Sequence, residues 1–185
     1  MARVTNNLLL QGISGKIGPF VVRQVGGQTI VQAAENKAKR APRSPKQQAH
    51  LDRMYQAQLY AKAQLRDPAA KALYATRIDQ RRTSAYTVAI ADYMRAPEVL
   101  GLDARTYHGR PGDALLIQAT DDFEVIAVIL RFISPTGTEL ETGPAILQPA
   151  CDWHYAVRQN HATGTTCDVE AHDRPGNCTT RHFTL

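Results

Sequence analysis

The chain has 185 residues, of which 43% are hydrophobic, 21% charged and 6% aromatic, a composition for one large globular domain or two small ones with an aliphatic, partitioned core. Its net charge of +5 and pI near 9.3 admit an anionic partner. No run of 18 apolar residues occurs, which excludes a membrane-spanning helix.

Residues 4–34 read as β structure. One strand is expected around Leu8–Leu10, followed by a glycine-punctuated turn. Phe20–Val25 and Gln28–Ala33 then flank Gly26-Gly27. Two apolar runs around Gly-Gly predict a hairpin, because a two-residue primed turn needs positive φ at its centre. An isolated hairpin is marginal in water, so this segment requires a surface to dock on. Residues 35–43 are polar, charged and aperiodic, and read as a basic linker.

Ser44-Pro45-Lys46-Gln47 places Ser at N-cap, Pro at N1 and Gln at N3, predicting a helix to about Arg66. Leu51, Met54, Tyr55 and Leu59 form its expected stripe, with Ala61 and Leu65 continuing at an offset. Asp67-Pro68 opens a second helix to about Gln80. Thr83 or Ser84 caps a third, which ends at Ala96-Pro97. Residues 44–97 therefore read as a small Ala-rich helical unit, and 98–112 as a turn-rich connector.

From Asp113 the period changes to two. Six strand candidates follow (ALLIQATDD, FEVIAVILRFISP, TGTELETGPAIL, DWHYAVRQ, TTCDVEAHD and NCTTRHFTL), separated by turn signals. Short strands at this spacing predict an all-β sandwich over 113–185, and the fold class is α+β. Charge follows the same division. Arg131, Arg158, Arg174 and Arg181 are the only Lys or Arg residues after Asp113 and are outnumbered by acids, so the basic excess lies in the N-terminal part.

Asp121-Asp122-Phe123 leading into Val125, Ala127, Ile129 and Arg131-Phe132, then Trp153-x-Tyr155, then Val169-x-Ala171-x-Asp173-x-x-Gly176-Asn177, resemble bacterial immunoglobulin-like and fibronectin-III-like domains. In such modules the last of these stretches forms the penultimate strand and its turn into the final one. The resemblance covers about 40% of the chain and implies a scaffold, not an activity. Trp153 and Cys167 are comparable to the core Trp and a core Cys of disulfide-bearing members, but residues 123–133 hold no Cys, so that bridge is absent. The N-terminal part is similar to small uncharacterised bacterial proteins with a Gly-rich hairpin and Ala-rich helices, a likeness that implies no activity.

Several groups invite a chemical reading. Gly12–Gly18 lacks phosphate-loop spacing and reads as a turn. Cys151, His154, His161, Cys167, His172, Cys178 and His182 offer zinc-type donors, with His172 and Cys178 flanking the Arg174–Gly176 turn. No C-x-x-C frame exists, however, and strand alternation should scatter them, with Cys167 inward and His172 outward. The cysteines therefore read as small buried thiols and no metal or other cofactor is expected. Asp121-Asp122, Glu139, Glu141, Asp168, Glu170 and Asp173 contain oxygen donors of the kind calcium takes, but an Asx turn at Asp121-Asp122 and solvent-facing acids account for them. No nucleophile sits in a recognisable elbow, so the chain reads as non-enzymatic, with no small-molecule substrate.

The function expected is assembly: a structural subunit of a filament or of a surface or phage-like particle. Its N-terminal hairpin (Leu8, Leu9, Leu10, Phe20, Val21, Val22, Val25, Ile30, Val31) docks on a neighbouring copy or protein partner. A sandwich that acts as a binding or adhesion module for a protein or carbohydrate ligand is the alternative. The basic patch Lys37, Lys39, Arg40, Arg43 and Lys46 ranks nucleic acid third, since no aromatic residues for stacking accompany it. The N-terminus has no apolar run long enough for a secretory signal, so a cytoplasmic location, or a surface one reached by a non-Sec route, is expected.

Overall fold

The computed structural model describes residues 2–4, 12–34, 42–149 and 152–185. They form two compact units, Met1–Pro45 and Lys46–Leu185. Three helices and three antiparallel four-stranded sheets give the α+β class.

The first unit is a sheet of order β1-β4-β3-β2, with β1 at Ala2–Val4, β2 at Gly15–Ile17, β3 at Phe20–Val25 and β4 at Gln28–Ala33. Gly26 and Gly27 close the Val25↔Gln28 pair with φ of 55° and 76°. Both central residues are left-handed, which is what a primed turn demands and what a side chain would resist. Gly12–Gly18 turns out to contain a strand: β2 pairs with β3 through a second tight turn at Gly18-Pro19, so no β-α phosphate loop forms there. The predicted strand at Leu8–Leu10 lies outside the described residues, as does most of the linker.

The second unit contains the helices. The first, α1 (Pro45–Gln64), starts where Ser44-Pro45 predicts. Its buried side is the offset one, however. Ala57 and Ala61 are fully buried, whereas Leu51, Tyr55 and Leu59 are 40–59% exposed. The alanines face inward, and the larger stripe is left in solvent. In α2 (Pro68–Ala75) the Asp67 carboxylate accepts from the Ala69 and Ala70 N–H groups. This helix ends five residues before the expected Gln80. The Thr76 hydroxyl donates back to the Leu73 carbonyl, and the Asp79 carboxylate then captures the Arg81 and Arg82 N–H groups in a turn. In α3 (Ala85–Met94) Ser84 and Thr87 form a reciprocal capping box. Ala61, Tyr74, Ala85, Val88, Ala89 and Phe123 form the helical core.

The remaining strands are β5 (Glu98–Asp103), β6 (Ala114–Thr120), β7 (Val125–Ile133), β8 (Glu139–Pro144), β9 (Ile146–Leu147), β10 (Trp153–Ala156), β11 (Thr166–Asp173) and β12 (Cys178–Thr184). They form two sheets, β5-β6-β10-β9 and β12-β11-β7-β8. Leu115 and Ile117 from the first, with Val128, Leu130, Phe132 and Val169 from the second, belong to one hydrophobic cluster that also holds Trp153 and Tyr155. The alternation read in the sequence thus turns one face of each sheet into a shared core.

Two expectations need correction. Residues 98–112 are more than a connector: β5 occupies their first part and pairs with β6, so the sheets begin before Asp113. A bulge between Val99 and Gly101, and a run in which Val99 is the one buried residue, hide its period. The TGTELETGPAIL run is two strands in different sheets. Pro144 still pairs with Ile129 on β7, while Ile146 pairs with His154 on β10, so the chain changes sheet across Ala145.

Candidate functional site

The N-terminal sheet carries most of the residues expected to mediate assembly. Cross-strand pairing places Ile17, Phe20, Val22, Thr29 and Val31 on one face, and Val21, Val25 and Ile30 on the other with Lys16 and Arg23. Val22 and Thr29 are buried, at 3% and 6% exposure, while Ile17, Phe20 and Val25 are about half exposed at 50%, 49% and 56%. Val21, Ile30 and Val31 are intermediate. Inside the sheet, Thr29 donates to the Gln24 side chain, whose amide donates to the Ile13 carbonyl, fixing the chain ahead of β2. Leu8, Leu9 and Leu10 lie outside the described residues. So do Lys37, Lys39 and Arg40 of the basic patch, while Arg43 and Lys46 are exposed.

The second unit contains three polar groupings that periodicity alone does not reveal. The first centres on Glu141, 6% exposed on β8. Its carboxylate accepts from the Tyr155 hydroxyl on β10 and from the Arg158 and Gln159 N–H groups at 3.1 Å, and lies 3.2 Å from His161 Nε2. His161 Nδ1 meets the Tyr107 hydroxyl at 2.9 Å, and its ring packs on Phe132 with centroids 4.5 Å apart. One buried carboxylate therefore joins the two sheets and the 157–161 segment. Burial, reinforced by the hydrogen bond to Glu141, pushes the Tyr155 hydroxyl above its ordinary value. Burial likewise pushes Tyr107 up to about 12. Both hydroxyls therefore remain protonated.

The second grouping brings together Asp92 on α3, Asp121 after β6 and Asp173 at the end of β11. One carboxylate oxygen of each lies within 4.8 Å of the other two. Each of the three also accepts hydrogen bonds, Asp173 on both oxygens. Tyr74, itself hydrogen-bonded to Tyr60, donates to Asp92 Oδ2 at 2.6 Å. Phe123 and Glu124 N–H groups bind Asp121 Oδ2, the Asx turn expected from the sequence. Gly176 and Asn177 N–H groups bind Asp173 Oδ1. Asp92 Oδ1 and Asp121 Oδ1 are buried without a hydrogen-bond partner. Burial, with further repulsion from Asp121 and Asp173, raises Asp92 to about 7 against the opposing hydrogen bond from Tyr74; burial also raises Asp173. A carboxyl raised this far titrates near neutral pH, and its protonated form supplies a donor to such a cluster.

The third is Glu170, His172 and Cys178 on the outer face of β11 and β12. Alternation does bury Cys167 and turn His172 outward, as read from the sequence. The same alternation gathers Glu170 and His172 on one side, and the hairpin register sets Cys178 directly opposite His172. Cys178 is therefore exposed, contrary to the expectation of buried thiols. Cys167 is fully buried and its thiol pushed up to about 12, which leaves it inert.

No helix among the described residues is long and apolar enough to cross a membrane. Compared with protein-family models, curated proteins and solved structures, the chain matches none.

Proposed function

We propose that the chain is a self-assembling structural subunit whose N-terminal sheet docks on a second copy. The observation that carries this reading is the imbalance of the first unit. It spans 45 residues, yet among its described residues only Val22 and Thr29 are buried, and Ile17, Phe20 and Val25 stand half in solvent. So small a sheet buries too little to be stable by itself and needs an external apolar surface. Charge supports a second copy as that surface. Residues 1–45 contain seven Lys or Arg and one acid, whereas residues 113–185 contain four Arg and ten acids. Such complementarity orients a head-to-tail contact, which propagates into a fibre unless its rotation closes a ring.

The acceptor in this reading is an immunoglobulin-like sandwich. The order β5-β6-β10-β9 opposite β12-β11-β7-β8 parallels strands A-B-E-D and G-F-C, with β8 as an added strand. Val169–Asn177 lies on the penultimate strand and the turn after it. Cys167 falls on the strand that holds the second core Cys of disulfide-bearing members, while Trp153 lies on the counterpart of E instead of C. Edge strands such as β8 offer backbone groups for strand addition.

Light scattering and negative-stain microscopy of the untagged full chain should show ordered polymers. Phe20→Glu should raise the concentration needed for assembly about tenfold or more, since a buried charge replaces apolar contact. Deleting residues 1–43 should abolish assembly. A full-length monomer over a wide concentration range would mean that the sheet docks within its own chain.

The alternative, a binding module, draws support from a depression on the outer face of the β5-β6-β10 sheet, lined by Gly101, Leu116, Gln118 and Asp152, with His154 nearby. Ligand binding there survives the 1–43 deletion, which separates the two readings.

A further inference from the structure

We propose that Glu170, His172 and Cys178 form an open zinc-type metal site on the outer face of the β11–β12 hairpin. His172 Nε2 lies 3.7 Å from Cys178 Sγ and 3.7 Å from Glu170 Oε2. Zinc bonds to sulfur at about 2.3 Å and to imidazole nitrogen at about 2.0–2.1 Å, so tetrahedral ligands of these two kinds sit roughly 3.6 Å apart. The corresponding nitrogen-to-carboxylate separation is roughly 3.4 Å. Both observed distances are within a few tenths of an ångström of the spacing a single ion imposes, and side-chain rotation supplies the difference.

The backbone makes the arrangement rigid. His172 and Cys178 are directly paired residues of a β-hairpin, and Glu170 is two residues from His172 on the same face. Arg131 Nη2 holds Glu170 Oε1 at 3.2 Å, which leaves Oε2 directed at the imidazole. An outer partner on a ligating carboxylate is how metal sites orient their first ligands. The donor set of thiolate, imidazole and carboxylate selects zinc or a similar borderline divalent ion over calcium or magnesium, which take oxygen donors alone. Three protein ligands leave the fourth tetrahedral position to solvent, since Cys178 is exposed.

Zinc takes cysteine as its thiolate. Metal binding therefore forms the sulfur–metal bond and releases the thiol proton to solvent, and affinity rises with pH. The Asp92–Asp121–Asp173 cluster is the other three-ligand grouping among the described residues. It is all-oxygen, and Tyr74, the Asn177 side chain and backbone N–H groups already bind its carboxylates.

The test uses the reduced, metal-free full chain titrated with Co²⁺ as a spectroscopic probe and then with Zn²⁺ alone. One equivalent of Co²⁺ should give a sulfur-to-cobalt charge-transfer band, which Zn²⁺ abolishes by displacement. Cys178→Ser should remove the band, and Cys151→Ser should leave it unchanged. His172→Ala and Glu170→Gln should each weaken binding by about tenfold or more. These side chains are on the sheet exterior, so far-UV circular dichroism of the variants should match the parent. Absence of a thiolate band, its persistence in Cys178→Ser, or undiminished affinity in His172→Ala would each overturn the assignment.

Discussion

Glu141→Ala should destabilise the Lys46–Leu185 unit by about 3 kcal/mol or more, because it removes the acceptor that several buried donors share. The Tyr155 hydroxyl and the Arg158 and Gln159 N–H groups lose their partner at once. His161, whose side chain is fully buried, loses its neighbouring carboxylate. Arg158, whose Nε lies 3.9 Å from the carboxylate, brings donors only and cannot replace this acceptor. Glu141→Gln keeps one acceptor oxygen and the shape of the side chain, so its cost should be smaller, about 1–2 kcal/mol. Urea unfolding followed by tryptophan fluorescence measures both. The chain has a single tryptophan, Trp153, and it sits in the core the two sheets share. A loss below about 1 kcal/mol for the alanine variant would show that water enters and satisfies the donors.

Asp92→Asn should stabilise the protein at pH 8 by about 2 kcal/mol and change it by well under about 1 kcal/mol at pH 4. In the folded state the Asp92 carboxyl is raised to about 7 from an ordinary value of 3.8. Below the lower value it is protonated in both states and contributes no difference. Between the two values the folded chain binds more protons than the unfolded one, so the wild type loses stability as pH rises through that window. Above about pH 7 the penalty is complete. The gap corresponds to about 4 kcal/mol at full strength, and screening by solvent and neighbouring groups brings it to about half. Asparagine removes the charge while keeping an oxygen for the Tyr74 hydroxyl and adding an N–H donor for the carboxylates around it. Asp173 is raised in the same direction, so a weaker slope should persist in the variant. Thermal unfolding at pH 4, 6 and 8 for both proteins reads this out. A variant less stable than the wild type at pH 8 would mean that the Asp92 charge itself is stabilising.

Local chemistry was readable in the chain wherever it is carried by adjacent residues. Gly26-Gly27, Asp67-Pro68 and Ser84 each mark an element end that the structure places within a residue, because turn dihedrals and orphan N–H groups are satisfied by near neighbours. The strands β6, β7, β8, β10 and β11 were visible from alternation, since one face of each carries buried residues. Features that depend on distant partners were hidden. The Leu51, Tyr55 and Leu59 stripe looked like the buried side of α1, yet the alanines beside it bury instead, because burial is decided by what packs there. Asp92 lies on α3, Asp121 after β6 and Asp173 at the end of β11, so no spacing joins them. Glu141 was visible only as one acid among several on alternating strands. For Glu170, His172 and Cys178 the needed signal was present: a hairpin register across Arg174–Gly176 sets His172 against Cys178, and alternation adds Glu170.

The place of β7 in its sheet has a consequence for synthesis on the ribosome. It lies between β8, which follows it directly, and β11, which comes only after the other sheet has been translated. Until residues 166–173 emerge, one side of β7 presents unpaired backbone groups beside Val128, Leu130 and Phe132. Nine residues, VIAVILRFI, then form an apolar, β-prone run with one charge, Arg131, to oppose intermolecular pairing. A nascent chain at that stage exposes an aggregation-prone strand, and a chain truncated after Asn160 should form amorphous aggregates where the full chain does not. A soluble truncation would show that the other sheet alone shields β7 during elongation.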